Sequence, residues 1–173
     1  MKTAKEIALM GVFVALLIGG QFVLSGISGV EIVTILITSF SFYFGVLRGV
    51  AVATAFSLLR SFLFGFFPQI IILYLVYYNL LAVVFGLIGK AFNKTVNLKK
   101  LIIIVITAII ATTLFTVTDV ALTWVFFGFT INAIKAYFLA GIPTLITQII
   151  CVTISVGLLF IPLTKAYKTI KLN

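Results

Sequence analysis

Six apolar segments separated by short polar connections account for almost all of this 173-residue sequence. A helix of about 17–30 residues crosses a bilayer core about 30 Å thick. With 64% hydrophobic and only 9% charged residues, the chain lacks the polar surface of a soluble domain. We therefore predict an all-α integral membrane protein, a single bundle of six transmembrane helices over residues 1–173, with spans near 4–25, 30–47, 49–67, 69–92, 100–127 and 132–163.

The basic residues indicate how this bundle is oriented. By the positive-inside rule, loops rich in Lys and Arg face the cytoplasm, so both termini are predicted to be cytoplasmic. The net charge of +9 thus reflects membrane topology, and we expect the lipid bilayer, and no nucleic acid, as a partner. Ten of the twelve basic residues fall on the predicted cytoplasmic side: Lys2, Lys5, Arg48, Lys90, Lys94, Lys99, Lys100, Lys165, Lys168 and Lys171.

A stripe of small residues follows the first segment. Steps of three and four residues keep such positions on one helix face, where a second backbone can approach closely. Two interpretations follow: the stripe packs inside the protein's own bundle, or it docks a partner subunit. The stripe consists of Ala4, Ala8, Gly11, Ala15 and Gly19.

Lines of polar residues at helical spacing run along several of the other segments. Ser and Thr can bond a carbonyl one turn earlier, so each line has a structural explanation. Their coincidence in several helices, continuing into the outward half, predicts a polar cavity. The lines are Glu31, Thr34, Thr38 and Ser41 in span 2; Thr112, Thr116, Asp119 and Thr123 in span 5; and Thr144, Gln148, Cys151 and Ser155 in span 6.

Arg60 and Asp119 are ionisable residues at similar predicted depths in the outward half of the membrane. A charge at such depth is costly and needs a partner. The two residues are expected either to form a structural ion pair or to bind a charged or strongly polar ligand. Glu31 has two interpretations as well, because Ser28 and Glu31 fit the S-x-x-E capping box of a helix start.

Aromatic residues gather toward the predicted outer ends, where anchoring at the membrane interface is their usual role. Some of them are also expected to line the mouth of a site for a planar molecule. Together with the polar lines they give the predicted substrate-binding set: Glu31, Thr34, Arg60, Tyr74, Tyr78, Asn79, Asp119, Thr123, Trp124, Tyr137 and Gln148.

Residue types that are absent narrow the chemistry. The sequence has no histidine, one cysteine and three acidic residues, so it has no motif for a metal site, a cofactor or paired catalytic carboxylates. It also has no P-loop for ATP hydrolysis. We predict that the protein is not an enzyme. The alternatives are a small intramembrane enzyme using Asp119 with Thr116 or Tyr78, and a stand-alone channel or structural bundle.

Several stretches of the sequence resemble a known family. The small-residue first helix, "SGVEIV" opening at Ser28, "FTVTDVALTWVFFG" in span 5 and "AGIPTLITQIICVTISVGLLFIPL" in span 6 look like a substrate-binding S component of an energy-coupling factor (ECF) vitamin transporter. In that family helix 1 carries an A-x-x-x-A-type motif that contacts the coupling helices of a shared transmembrane subunit. Ala4 with Ala8, and Gly11 with Ala15, both match that spacing.

The resemblance implies a function and its partners. An S component captures a scarce vitamin or related micronutrient in its outer half, under the loop joining helices 1 and 2, and topples within the plasma membrane of a prokaryotic cell. That loop corresponds here to about residues 25–30. The shared transmembrane subunit and two cytoplasmic ATPases supply the work. The cobalt and nickel branch does not fit, because its metal site resembles a His-dependent one and this chain has no histidine.

Overall fold

The computed structural model describes residues 4–27 and 29–170. Within them the chain forms α-helices and no strand. Five of these helices are long and apolar enough to cross a membrane, so the prediction of an all-helical, multi-pass membrane architecture is confirmed at that level. The helices are α1 (Ala4–Leu24), α2 (Val33–Phe44), α3 (Val46–Phe64), α4 (Pro68–Ala91), α5 (Leu98–Phe127) and α6 (Ile131–Tyr167).

Local sequence signals set the ends of the long helices. Gly65 adopts a φ of 99° after α3, and Pro68 opens α4, where its missing N–H costs nothing. The side chain of Asn97 accepts a hydrogen bond from the Lys100 amide at the start of α5. Gly128 then ends α5 in the left-handed conformation, with a φ of 61°.

The second helix is the centre of the bundle. It contacts α1, α3, α4 and α6, and ten of its twelve residues are buried. Twelve residues reach about 18 Å, less than the bilayer core of about 30 Å. The span predicted over 30–47 is therefore shorter than expected. Gly45, with a φ of 90°, separates α2 from α3 and lets the chain reverse within a single residue.

Both ends of the described chain lie at the same end of the bundle. Glu6 in the first turn of α1 forms an ion pair with Arg48 near the start of α3. At the finish of α6, Tyr167 packs its ring against Phe13 of α1. We call this the basic end, because Lys5, Arg48, Lys90, Lys94, Lys99, Lys100, Lys165 and Lys168 belong to helix termini and turns there; Lys2 and Lys171 lie outside the described residues.

An aromatic core fills the half of the bundle next to the basic end. Phe40 of α2 packs against Phe13 with ring centroids 4.4 Å apart, and Phe42 packs edge-on against Phe160 at 5.2 Å. Phe40, Phe42 and Phe160 are fully buried. The Tyr167 hydroxyl also hydrogen-bonds the Ser39 hydroxyl at 3.1 Å, which ties the end of α6 to the centre of α2. This half of the protein is therefore closed.

Candidate functional site

The polar lines of α5 and α6 face each other across a groove in the half of the bundle away from the basic end. The groove has a volume of about 310 Å³, at the lower end of the range for small-molecule sites. We call it the α5–α6 groove. It is lined by Phe115, Thr116, Asp119, Val120, Tyr137, Phe138, Ala140, Gly141, Thr144, Leu145 and Gln148. Of the predicted site residues, Asp119, Tyr137 and Gln148 lie in its wall, whereas the polar line of α2 (Thr34, Thr38 and Ser41) is buried inside the bundle and does not reach the groove.

Loose packing of α6 creates this groove. Every buried residue of α6 lies at Val152 or beyond, so the first half of the helix stands away from the core. Pro143 lies in that half and has no N–H to donate to the carbonyl of Leu139. Small residues beside it, Ala140 and Gly141, leave the space that the groove occupies.

Asp119 is the ionisable residue of the groove. It is half-buried, and its Oδ2 accepts a hydrogen bond from the Tyr137 hydroxyl at 2.9 Å. Tyr137 comes from the facing helix, so this bond connects α5 and α6 across the groove. Thr123, one turn further along α5, is buried.

Arg60 is held by neutral neighbours. Its Nε donates to Gln21 Oε1 at 3.0 Å, and its guanidinium carbon lies 4.1 Å from the ring centroid of Tyr74 and 4.8 Å from that of Phe64. The prediction of a direct ion pair between Arg60 and Asp119 is therefore wrong. Arg60 instead stacks on two aromatic rings and bonds an amide oxygen. A ligand that bridges Arg60 and Asp119 stays a prediction.

Glu31 lies in the connection before α2. Its Oε1 accepts a hydrogen bond from Thr34 at 2.6 Å, and its Oε2 accepts one from the Tyr78 hydroxyl at 3.3 Å. The capping-box interpretation is wrong, because α2 begins only at Val33 with Ile32 as its N-cap; Ser28 lies outside the described residues. Glu31 instead connects α2 to α4 through its carboxylate.

Tyr74 links these groups. Its ring lies beneath the Arg60 guanidinium, and its hydroxyl accepts a hydrogen bond from Gln21 Nε2 at 3.2 Å. The same ring packs on that of Tyr78, which bonds Glu31, with centroids 5.1 Å apart. Its ring also packs edge-on against Phe115, which lines the groove, with centroids 5.9 Å apart. Arg60, Glu31 and the groove are thus parts of one outer polar cluster organised around Tyr74.

The connection between α1 and α2 packs against α6 beside the groove. Gly29 adopts a φ of 80°, and a Cβ built on it would lie 2.8 Å from Thr147 Cβ and 2.9 Å from the Thr144 carbonyl oxygen. Two residues after Gly29, the backbone carbonyl of Glu31 accepts a hydrogen bond from the Cys151 thiol at 3.3 Å. Only a glycine allows so close an approach, so residues 29–31 are fixed beside the groove wall.

The other predicted site residues lie elsewhere. Asn79 is bonded to Thr54 at 3.0 Å and to the Leu75 carbonyl at 2.8 Å, between α3 and α4. Trp124 is half-exposed on α5 and is not part of the groove wall. Sequence reasoning missed Gln21, whose polarity inside an apolar helix was a usable signal. It also missed Phe115 and Phe138. The sequence has 18 phenylalanines, and nothing in it distinguishes these two from the others.

The small-residue stripe of α1 faces outward. All five of its positions are exposed, and a Cβ built on Gly11 or Gly19 would meet nothing within 4 Å. The buried residues of α1 are Phe13, Val14 and Leu17, on the other side of the helix. The interpretation that the stripe packs inside the protein's own bundle is therefore wrong. This face of α1 is available to lipid or to another protein.

The described residues contain no group of three His, Cys, Asp or Glu side chains that could hold a metal ion. What the outer polar cluster offers chemically is one partly buried carboxylate at the groove, hydroxyl and amide groups around it, and aromatic walls. No protein-family model matches the chain, and neither a curated protein nor a solved structure matches it.

Proposed function

We propose that the chain is the substrate-binding S component of an ECF transporter. In this proposal it captures a vitamin or related micronutrient from outside a prokaryotic cell, and a shared transmembrane subunit and two cytoplasmic ATPases complete the uptake system. The chain lies in the plasma membrane with the basic end and both termini in the cytoplasm. The central α2, together with the connection before it, provides the sixth crossing.

The observation that carries the proposal is the asymmetry of the bundle. The half away from the basic end contains a groove with a carboxylate and aromatic walls, whereas the half at the basic end is filled by fully buried rings such as Phe40 and Phe42. Such a chain can bind a solute from one side but offers it no continuous path. This favours capture by a binding subunit over the alternative of a stand-alone channel.

The exposed stripe of α1 supports a partner subunit. Small residues allow the backbones of two helices to approach closely in the membrane, where van der Waals packing is one of the forces that drive helix association. In an S component this face would contact the coupling helices of the transmembrane subunit. That assignment also accounts for the absence of a P-loop in the sequence, since ATP hydrolysis belongs to the partners.

Coexpression tests the proposal. The chain is produced with an ECF transmembrane subunit and its two ATPases, purified through a tag on the chain, and tested for copurification and for ATP-dependent uptake in proteoliposomes. Mass spectrometry of small molecules released from the purified chain identifies the substrate. We expect a stable complex and uptake of the released molecule. Failure to copurify with compatible coupling subunits, combined with solute flux through the chain alone, would contradict the proposal and favour a channel.

A further inference from the structure

The acidic residues of this chain are concentrated in the outer polar cluster. The sequence has three acidic and twelve basic residues, yet two of the three acids lie in this half of the bundle. Glu31 accepts a hydrogen bond from Tyr78, and Asp119 lies in the wall of the groove. A carboxylate inside a membrane protein is costly and marks a site for a partner.

Asp119 lines the groove and has unused acceptor capacity. Its only protein hydrogen bond among the described residues is the one from Tyr137 to Oδ2, which leaves Oδ1 without a protein donor. A carboxylate has room for several donors and binds charged N–H groups best when both oxygens take part. A ligand with adjacent N–H donors, or with a positive charge, supplies the hydrogen-bond donor for Oδ1 that the protein does not supply.

Among the described residues, no Lys or Arg lies in the groove wall to compete for this position. The eleven residues that line the groove include neither Lys nor Arg. Arg60 is already bonded to Gln21 and stacked on Tyr74 and Phe64. Lys135 lines a neighbouring surface with Phe138 and Leu139, outside the groove. An anionic ligand in the groove would therefore face a carboxylate with no basic residue in the surrounding wall.

The walls of the groove suit a flat molecule. Phe115 and Phe138 provide aromatic surface, and Phe115 is fixed by edge-on packing on Tyr77 at 4.7 Å. Gln148 and Thr144 add an amide and a hydroxyl at the same wall, which can bond the edge of a heterocycle. The volume of about 310 Å³ limits the bound part to a small ring system.

We infer that the α5–α6 groove binds a small planar ring that presents a positive charge or paired N–H donors, as amidines and amino-substituted nitrogen heterocycles do, to Asp119. The inference deepens the proposed function and rests on it for the claim that the bound molecule is transported. The preference for cationic over anionic rings depends only on the groove itself.

A matched set of probes tests the charge preference. Benzamidine, benzamide and benzoate have the same ring and nearly the same shape, but are cationic, neutral and anionic. Binding to the purified full chain in detergent is measured by calorimetry and by thermal shift. We expect benzamidine to bind best and benzoate worst. Asp119→Asn should weaken the binding of benzamidine at least tenfold, about 1.4 kcal/mol, and the binding of benzamide less than threefold. The preference for benzamidine over benzamide is then lost.

A second variant covers the case in which Asp119→Asn does not fold. Gln148→Glu adds a carboxylate to the same wall and should increase the preference for benzamidine over benzamide. Thr118→Val is the control, because Thr118 is half-buried outside the groove and its hydroxyl bonds the Leu114 carbonyl of its own helix. Stronger binding of benzoate, no saturable binding of benzamidine, or an unchanged preference in both groove variants would overturn the inference.

The transporter proposal and the charge preference can fail independently of each other. Copurification with coupling subunits depends on the α1 surface and not on ligand charge. If the chain prefers benzamidine but never associates with an ECF subunit, the charge preference stands and the transporter proposal fails. If the complex forms and benzoate binds best, the transporter proposal stands and the charge preference fails.

Discussion

The guanidinium of Arg60 lies 4.1 Å from the centre of the Tyr74 ring while its Nε donates to Gln21. Arg60→Met removes this stacking and that on Phe64, each worth about 0.5–2 kcal/mol, and leaves Gln21 without its donor. We expect a lower melting temperature in detergent. Arg60→Lys should restore stability only in part, because an ammonium keeps the charge but not the planar stacking. Full stability of Arg60→Met would show that these contacts contribute nothing.

The absence of a direct bond between Arg60 and Asp119 gives a second prediction. Breaking a buried ion pair costs about 3–5 kcal/mol, and the two single mutants of such a pair are strongly coupled. In the ligand-free protein, we expect a coupling energy below about 1 kcal/mol between Arg60→Met and Asp119→Asn. A double-mutant cycle of unfolding free energies measures it. Strong rescue in the double mutant would show that the carboxylate and the guanidinium do meet.

Gly29 is expected to be essential for seating the α1–α2 connection on α6. Gly29→Ala places a Cβ against Thr147 at a φ of 80°, so we expect destabilisation of about 1–3 kcal/mol from strain and overpacking, together with weaker ligand binding. Gly26→Ala is the matched control, since a Cβ there meets nothing within 4 Å. Equal effects of the two substitutions, measured by thermal unfolding, would contradict this docking of the loop.

Gly89 determines how closely α4 approaches the centre of the bundle. A Cβ on Gly89 would overlap the backbone of Phe42, which cannot move away as a flexible side chain could. Gly89→Ala should therefore reduce the free energy of unfolding by more than about 2 kcal/mol. Gly157→Ala, with open space around it, should be neutral or stabilising by up to about 1 kcal/mol through helix propensity. Comparable stability of the two variants would contradict the tight α2–α4 contact.

The exposed face of α1 gives a prediction that separates docking from folding. Gly11→Trp adds a large side chain where nothing lies within 4 Å, so the isolated chain should keep its melting temperature and its ligand affinity. In coexpression it should lose copurification with the ECF subunits and lose uptake. Leu80→Trp, on an exposed face of α4, is the control. Uptake that survives Gly11→Trp would show that this face contacts only lipid.

The orientation in the membrane is tested by cysteine labelling in a Cys151→Ala background. A cysteine at Asn132, at the start of α6, should react with an impermeant thiol reagent added to intact cells. A cysteine at Asn97, the cap of α5 at the basic end, should react only after the cells are opened. The reverse pattern would place the groove on the cytoplasmic side and contradict capture from outside.

Much of the architecture could be predicted from the sequence. Long apolar segments between Gly, Pro and Asn signals gave the bounds of α1, α4 and α5 to within a few residues, because helix length and termination depend on local composition. The facing polar lines of α5 and α6 were also visible, since 3.6-residue periodicity puts Thr116 and Asp119, or Thr144 and Gln148, on one face. The sequence by itself therefore determined the helices and which of their faces are polar.

Only the tertiary structure decided which of those faces meet. Depth along a helix does not report rotation about its axis, so Arg60 and Asp119 could be placed at one level and still have different partners. The shortness of α2 was hidden for a related reason: a fully buried helix is apolar on all sides and its apolar run continues into its neighbours. The outward face of the α1 stripe depends on Phe13, Val14 and Leu17 being drawn into the core, because burying these large side chains removes more apolar surface than burying alanine and glycine would.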